Sequence, residues 1–333
     1  MRVRRAYLPL ALLAALSVLS FAVALAAGSV GLSAGELAGG VAGYLTGGET
    51  SLASTLVALR VERAAAAWLT GALLASAGVM MQALLRNPLA DPYVLGLSGG
   101  ASVGALGALM AGLAGALVDF AAFAGALAVT ALLFALARDG VARGARATLL
   151  LLTGVIIGAG CGALVTLMLA LAPDENLRGM VFWLIGDLSG SGPGALPALA
   201  LAAALLFCLA RARSINLMAL YGDNALTLGV DVARLRAGLF ALSALLTASA
   251  VSMAGSIGFV GLIVPHACRL ALGPDHRVLL PSAALAGGAL LVLADTVART
   301  AFAPLQLPVG VITALIGVPA FLWQLRRSQE GAL

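Results

Sequence analysis

Ten apolar segments, each long enough or nearly long enough to cross a hydrocarbon layer, take up most of the chain and leave little else to build a fold from. They run at about 6–27, 59–84, 93–112, 117–137, 148–172, 192–210, 236–254, 256–272, 279–300 and 308–325. A spanning helix needs roughly 20 mostly apolar residues, because the hydrocarbon core is about 30 Å thick and a helix rises about 1.5 Å per residue. Lipid offers no water to backbone N–H and C=O groups, so the segment must satisfy its own, and a helix does. With 62% hydrophobic and 10% charged residues and a mean hydropathy of +1.09, residues 1–333 read as a single all-α polytopic membrane domain of about ten transmembrane helices.

Charge orients this domain. Arg2, Arg4 and Arg5 precede an apolar run too long for a signal-peptide core, so the first segment is expected to stay as an uncleaved helix with its N-terminus in the cytoplasm. An even number of spans returns the C-terminus, with Arg326 and Arg327, to the same side. On that topology fifteen of the nineteen basic residues fall inside and only Arg60, Arg63, Arg178 and Arg299 outside. The net charge of +5 therefore reads as orientation rather than as a nucleic-acid surface.

All nineteen basic residues are arginine. Without a lysine there is no Walker A motif and no Schiff base, so any ATP hydrolysis must be performed by another subunit and the chain is expected not to be an enzyme. Cys161, Cys208 and Cys268 are isolated within or at the end of apolar segments and read as packing residues. His266 and His276 share one inner gap without metal-ligand spacing, so neither a metal nor a cofactor is expected.

The longest polar island between strongly apolar segments is Arg211 to Arg236. Arginine pairs close both ends, and apolar Leu217, Leu220, Ala225, Leu228 and Val230 alternate with polar side chains between them. Gly222 and Gly229 allow sharp turns around a short helix. The stretch reads either as a loop packed on its own helix ends or as a docking helix for a soluble cytoplasmic partner. A second interruption carries Asn87-Pro88 and Asp91-Pro92, which break the helix, and then Gly96, Ser98, Gly99, Gly100, Ser102 and Gly104. Small residues at that density permit either close helix packing or a polar cavity. A similar break spans Gly255 to His266. On the outer side, Ser33 to Glu36 forms a capping box expected to start a short surface helix, and 176–188 reads as an interfacial helix.

The blocks RNPLADPYVLGLSGGASVGA (Arg86 to Ala105), GSIGFVGLIVPHACRL (Gly255 to Leu270), GPDHRVLLPSAALAGG (Gly273 to Gly288), ADTVAR (Ala294 to Arg299) and LPVGVITALIGVPAFLW (Leu307 to Trp323) resemble the FecCD-type permeases of bacterial ABC importers for iron-siderophore, haem and cobalamin. The resemblance implies a type II importer permease fold in the bacterial inner membrane. It implies a homodimer with two cytoplasmic ATPase subunits beneath and a periplasmic substrate-binding protein outside. It makes 211–236 the coupling loop, with Asn216, Leu217, Ala219, Leu220, Tyr221, Gly222, Ala225, Leu228, Gly229 and Val230 facing the ATPase. It makes Arg60, Arg63 and Arg299 docking residues for the binding protein, although Glu62 and Asp295 offer them internal partners as well. It places a cytoplasmic gate at Ala147 and Thr148, where a hydroxyl equally suits a helix cap.

The function expected is inward movement of an iron chelate, ferric siderophore or haem, by alternating access, with cobalamin as the alternative substrate. An ion-coupled secondary transporter would require a carboxylate near mid-membrane, and every acidic residue maps near one surface or the other. A polyprenyl transferase would require a carboxylate cluster for metal and pyrophosphate, and the only adjacent acids are Asp174 and Glu175.

Overall fold

The structure, a computed structural model, describes residues 7–47, 51–143 and 147–330; the side chains of 94, 137–150, 325 and 327–330 are not among those described. In chain order the helices are α1 (Tyr7–Ala26), α2 (Ala34–Thr46), α3 (Leu52–Leu85), α4 (Leu97–Met110), α5 (Ala116–Arg143), α6 (Ala147–Leu171) and α7 (Asp174–Ile185), followed by α8 (Ala195–Ala210), α9 (Ala212–Tyr221), α10 (Val232–Ala254), α11 (Val260–Leu272), α12 (His276–Thr300) and α13 (Val309–Glu330). Two short 3-10 helices lie at Pro92–Leu95 and Gly222–Leu228, and no strand occurs among the described residues.

All ten expected segments are helical. Six of them (α1, α3, α5, α6, α10 and α12) are long and apolar enough to cross a membrane, and α8 with its bent continuation makes a seventh; α4, α11 and α13 are shorter apolar helices. The largest departure from expectation is α3, which starts at Leu52 rather than about 59 and runs 34 residues. Ser51 caps it by accepting from Ser54 N, and the added turns pack on α2, where a Cβ at Gly40 would stand 2.8 Å from Ala53 O. Helix α2 itself opens on the expected capping box, with Ser33 and Glu36 satisfying each other's backbone N–H.

Two of the shorter helices, α4 and α11, each follow a broken stretch. Arg86 ends α3 in the left-handed region at φ 49, Asp91 accepts from Tyr93 N at 2.9 Å to start the 3-10 turn, and Gly96 at φ 80 opens α4. In the second break Gly255 lies at φ 68 and Phe259 at φ 70, the latter a conformation a bulky residue adopts only when its surroundings impose it. Both breaks follow a long central helix, α3 in one case and α10 in the other. Irregular backbone within such a bundle is tolerated because it is covered by protein or lines a cavity.

Burial ranks the helices. The apolar window of α3 is 89% buried and those of α10 and α12 67%, while α1, α5 and α6 stand at 17%, 22% and 6%. Helix α3 is therefore the axis, α10 packs along it, and α12 and α11 close on it through small residues. A Cβ at Gly78 of α3 would stand 1.9 Å from Gly261 O of α11, and one at Gly71 would stand 2.2 Å from Gly287 O of α12. The three cysteines are free and buried, which makes a cysteine-free background practical for labelling. With those three replaced, Leu45→Cys on α2 is expected to react with an impermeant maleimide from outside intact cells, and Asn224→Cys only after permeabilisation. External labelling at Asn224 would reverse the orientation read from the arginines.

Candidate functional site

Three places carry polar chemistry in an otherwise apolar bundle. The first is the hairpin at the end of α8, where α9 and the following 3-10 helix bend away by 69°. Gly222 turns the chain at φ 60, ψ −128, a region glycine alone occupies freely. Gly229 closes the hairpin at φ 80, its N–H donating to Leu226 O at 3.0 Å. Both turns fall at the glycines the sequence marks.

The inner face of this hairpin is held by three different helices. Asn216 Nδ2 donates to Asp275 Oδ1 at 2.8 Å, and its Oδ1 accepts from His276 N at 3.0 Å and faces His276 Nδ1 at 2.6 Å, which ties α9 to the start of α12. Arg86, at the end of α3, donates from Nε to Ala219 O at 3.3 Å. Arg236 of α10 pairs through Nη1 with Asp223 Oδ1 at 2.8 Å. Burial pushes the Asp275 carboxyl up, but hydrogen bonds from Asn216 and from the Arg277 N–H, with the nearby Arg277 charge, hold it below the usual carboxylate range. Its contribution to the tether is therefore complete above the ordinary carboxylate pKa and is lost as pH falls through the depressed one.

These contacts divide the expected coupling residues. Gly222, Ala225 and Val230 are buried, Leu217 packs against the core, and the Asn216 amide and the Ala219 carbonyl are engaged in the tethers above. Leu220, Tyr221 and Leu228 are exposed at 67%, 48% and 53%, joined by Leu226 at 58%, and Gly229 is exposed beside them. Leu226 was legible only as one apolar residue among several, because in a 3-10 turn side chains three apart eclipse and helical spacing misplaces them.

The second place is a cleft of about 230 Å³ between α4 and α6, lined by Gly96, Ser98, Gly99 and Ser102 on one side and by Gly154 and Gly158 on the other. The opposite face of the same glycine run packs on α5: a Cβ at Gly100 would stand 2.5 Å from Gly125 O, and one at Gly104 2.1 Å from Ala121 O. Close packing and cavity lining, which the sequence leaves as alternatives, thus both occur on different faces of one helix. The buried Tyr93 hydroxyl lies at the cleft, beside the Ile257 backbone. Helix α6 begins at Ala147, but the side chains of Ala147 and Thr148 lie outside those described.

The third place is the far end of the bundle. Asp295 of α12 receives Arg63 of α3 through Nε at 3.0 and 3.1 Å and through Nη2 at 2.8 Å, while Arg299 Nε lies 3.6 Å from the same carboxylate. Arg60 donates from Nη1 to Leu25 O at 2.6 Å and from Nη2 to Val30 O, and Arg299 donates from Nη2 to Ala24 O. Two guanidiniums thus cap the last carbonyls of α1, which its own helix leaves unsatisfied, at the end where the dipole favours positive charge. Arg60 and Arg299 are each only 7% exposed, so of the three arginines assigned to docking, Arg63 is the one whose guanidinium reaches outward, to Ser189 and Gln306. The sequence offers Asp295 to Arg299 four residues on, a pair the structure contains; that the same carboxylate also takes Arg63, 232 residues away, only the fold shows.

The FecCD transport family model matches residues 14–327 of this chain. The cobalamin import system permease protein BtuC of Halobacterium salinarum is 47% identical over 282 residues, covering 83% of this chain and 74% of BtuC. The hemin transport system permease protein HmuU of Yersinia pestis is 42% identical over 283 residues, covering 82% and 83% of the two chains. A solved inward-facing ABC transporter, described as of metal-chelate type, superposes with a TM-score of 0.83 at 29% identity over 96% of this chain and 98% of its own. The helix order, the two broken stretches and the bent hairpin accordingly form the type II permease fold. Match and superposition both extend over nearly the whole chain, and on that ground it belongs to the FecCD transport family.

Proposed function

We propose that this permease subunit of an ABC importer works as a homodimer that moves an iron chelate, ferric siderophore or haem, from periplasm to cytoplasm by alternating access, with cobalamin as the alternative cargo. Two ATPase subunits drive it from the cytoplasmic side, and a periplasmic binding protein delivers the substrate. The observation that carries the reading is the α9 hairpin. Its inner face is tied to α3, α10 and α12, while its outer face presents Leu220, Tyr221, Leu226 and Leu228 to whatever lies beneath. An apolar patch on a rigid, charge-rimmed element is the surface a partner subunit buries. The tethers make it a lever, because a push on the patch is transmitted to three membrane helices at once.

The substrate class rests on the cleft face and on the relatives. Helix α6 is almost unburied in the single chain, and its glycine-rich side faces the α4 cleft without a charged side chain among the lining residues. A wall of that kind suits a bulky ligand handled without tight contacts. BtuC and HmuU, named for cobalamin and hemin, match over similar lengths, so the choice is left to measurement. At the outer end the binding protein is proposed to dock against the Arg63 side of the latch, with Arg60 and Arg299 holding α1 in place behind it.

The test is Leu226→Glu and Tyr221→Glu, each placing a charge on the exposed patch without touching a tether. Both proteins are expected to insert normally, to lose about tenfold or more in ATPase association, since a desolvated charge at an interface core costs several kcal/mol, and to fall correspondingly in uptake. Uptake is measured with ferric siderophore, haem and cobalamin in separate arms. Wild-type ATPase association and uptake in both variants would remove the hairpin from the coupling role.

A further inference from the structure

A cavity of about 1030 Å³ opens beside the coupling hairpin, between the start of α1, the end of α3 and the α11–α12 turn. This is at the upper end of the roughly 300–1,000 Å³ typical of small-molecule sites. Arg86, Arg269 and Arg277 all line it, and none of the three forms an ion pair with a carboxylate among the described residues. The one acid in the lining, Asp275, already accepts from Asn216 and from the Arg277 N–H. The cavity is therefore strongly positive.

Two buried acceptors in the same lining are unsatisfied. Gln82, 2% exposed, donates from Nε2 to Leu262 O at 3.2 Å, yet its Oε1 has no partner among the described residues. His276, 5% exposed, faces the Asn216 carbonyl oxygen through Nδ1, which assigns the proton to Nδ1 and leaves Nε2 as an acceptor; Nε2 also has no partner among the described residues. A buried acceptor without a donor costs on the order of 1–3 kcal/mol. The charge of the lining therefore favours an anionic group, and the polar Gln82 and His276 stand beside it.

The α1 wall says where such a ligand comes from. Tyr7 and Leu10 line the cavity, and the exposed side of the same helix, with Tyr7 at 65% and Leu8 at 69%, is the apolar surface a lipid tail covers. Basic pockets between helices at the cytoplasmic leaflet are where anionic headgroups bind. We propose that this cavity holds one anionic phospholipid of the inner leaflet, its phosphate on Arg86, Arg269 and Arg277. Phosphatidylglycerol has this chemistry. Because the cavity shares Arg86, Asn216 and Ala219 with the hairpin tethers, a bound lipid would brace the lever. The assignment of this end to the cytoplasm rests on the functional reading above.

The test uses the full permease–ATPase complex in detergent, with retained lipid counted by native mass spectrometry. Phosphatidylglycerol is expected to be retained roughly tenfold over phosphatidylcholine. Arg269→Gln and Arg277→Gln are each expected to weaken it roughly fivefold, the fold-change matching about 1 kcal/mol per basic residue at a membrane surface. The exposed Arg277 gives a variant with little risk to folding, and Arg234→Gln, outside the cavity, serves as the control and keeps wild-type retention. Glycerol phosphate, the headgroup without tails, is not expected to displace the lipid. Equal retention of the two lipids, wild-type retention in both cavity variants, or displacement by glycerol phosphate would each overturn the proposal. So would loss of the ATPase subunit from Arg269→Gln with phosphatidylglycerol still bound, which would make the cavity a protein contact. Failure of uptake alone, with lipid retention behaving as expected, counts against the functional reading and not against the lipid site.

Discussion

Gly78→Ala is expected to leave little folded permease, although it adds one methyl group to the most buried helix of the chain. That methyl would stand 1.9 Å from the carbonyl oxygen of Gly261 and 2.7 Å from its carbon. Backbone atoms cannot rotate out of the way as a side chain can, so α3 and α11 must separate. Overpacking in a well-packed core costs roughly 1–3 kcal/mol and occasionally more, and here both elements are backbone at the point of contact. Gly107→Ala on α4 is the matched control, since its Cβ would meet only the end of Met168 at 3.8 Å. That variant is expected to be neutral or to gain up to about 1 kcal/mol of helix propensity. Monodisperse yield and melting temperature in detergent read both proteins, and equal behaviour of the two would mean α3 and α11 are not in backbone contact.

Asp295→Ala is expected to cost as much or more, by a different route. Its side chain is 3% exposed and carries, among the described residues, the only carboxylate paired with Arg63 and Arg299. Removing it leaves two guanidiniums in a poorly hydrated place, and deleting one partner of a buried ion pair costs about 3–5 kcal/mol. Arg63→Gln alone should cost less, because Asp295 keeps Arg299. In the double variant one of the stranded charges is gone, so part of the loss returns and the two effects are non-additive by about 1 kcal/mol or more. Strict additivity in melting experiments would mean the pair does not hold α3 to α12. The same Arg63→Gln protein reads the docking proposal: association of the binding protein should slow and lose salt dependence if the exposed side of Arg63 steers it.

Much of this was local chemistry and therefore readable. Asn87-Pro88 and Asp91-Pro92 break α3 from α4 because proline removes a donor and excludes the preceding residue from helix. Ser33 and Glu36 start α2, and Gly222 and Gly229 turn the hairpin at positive φ. Each of these depends on neighbours within a few residues. The coupling residues were legible as a group but not as individuals, since Asn216 faces inward only because Asp275 and His276, about 60 residues away, meet it there.

The order of the ten apolar segments, the breaks between them and the family they identify were determined by the sequence, because hydropathy and turn chemistry act within a span. Which helix would be central was decided by the tertiary structure. The apolar window of α3 is 89% buried at a mean hydropathy of 1.6, whereas that of α6 is 6% buried at 2.2. In water the more apolar helix would go inside, but lipid tails are as apolar as leucine and give no such drive. What selects the axis is instead the close approach of backbones at Gly71, Gly78, Gly261 and Gly287, and that approach exists only once the helices have met.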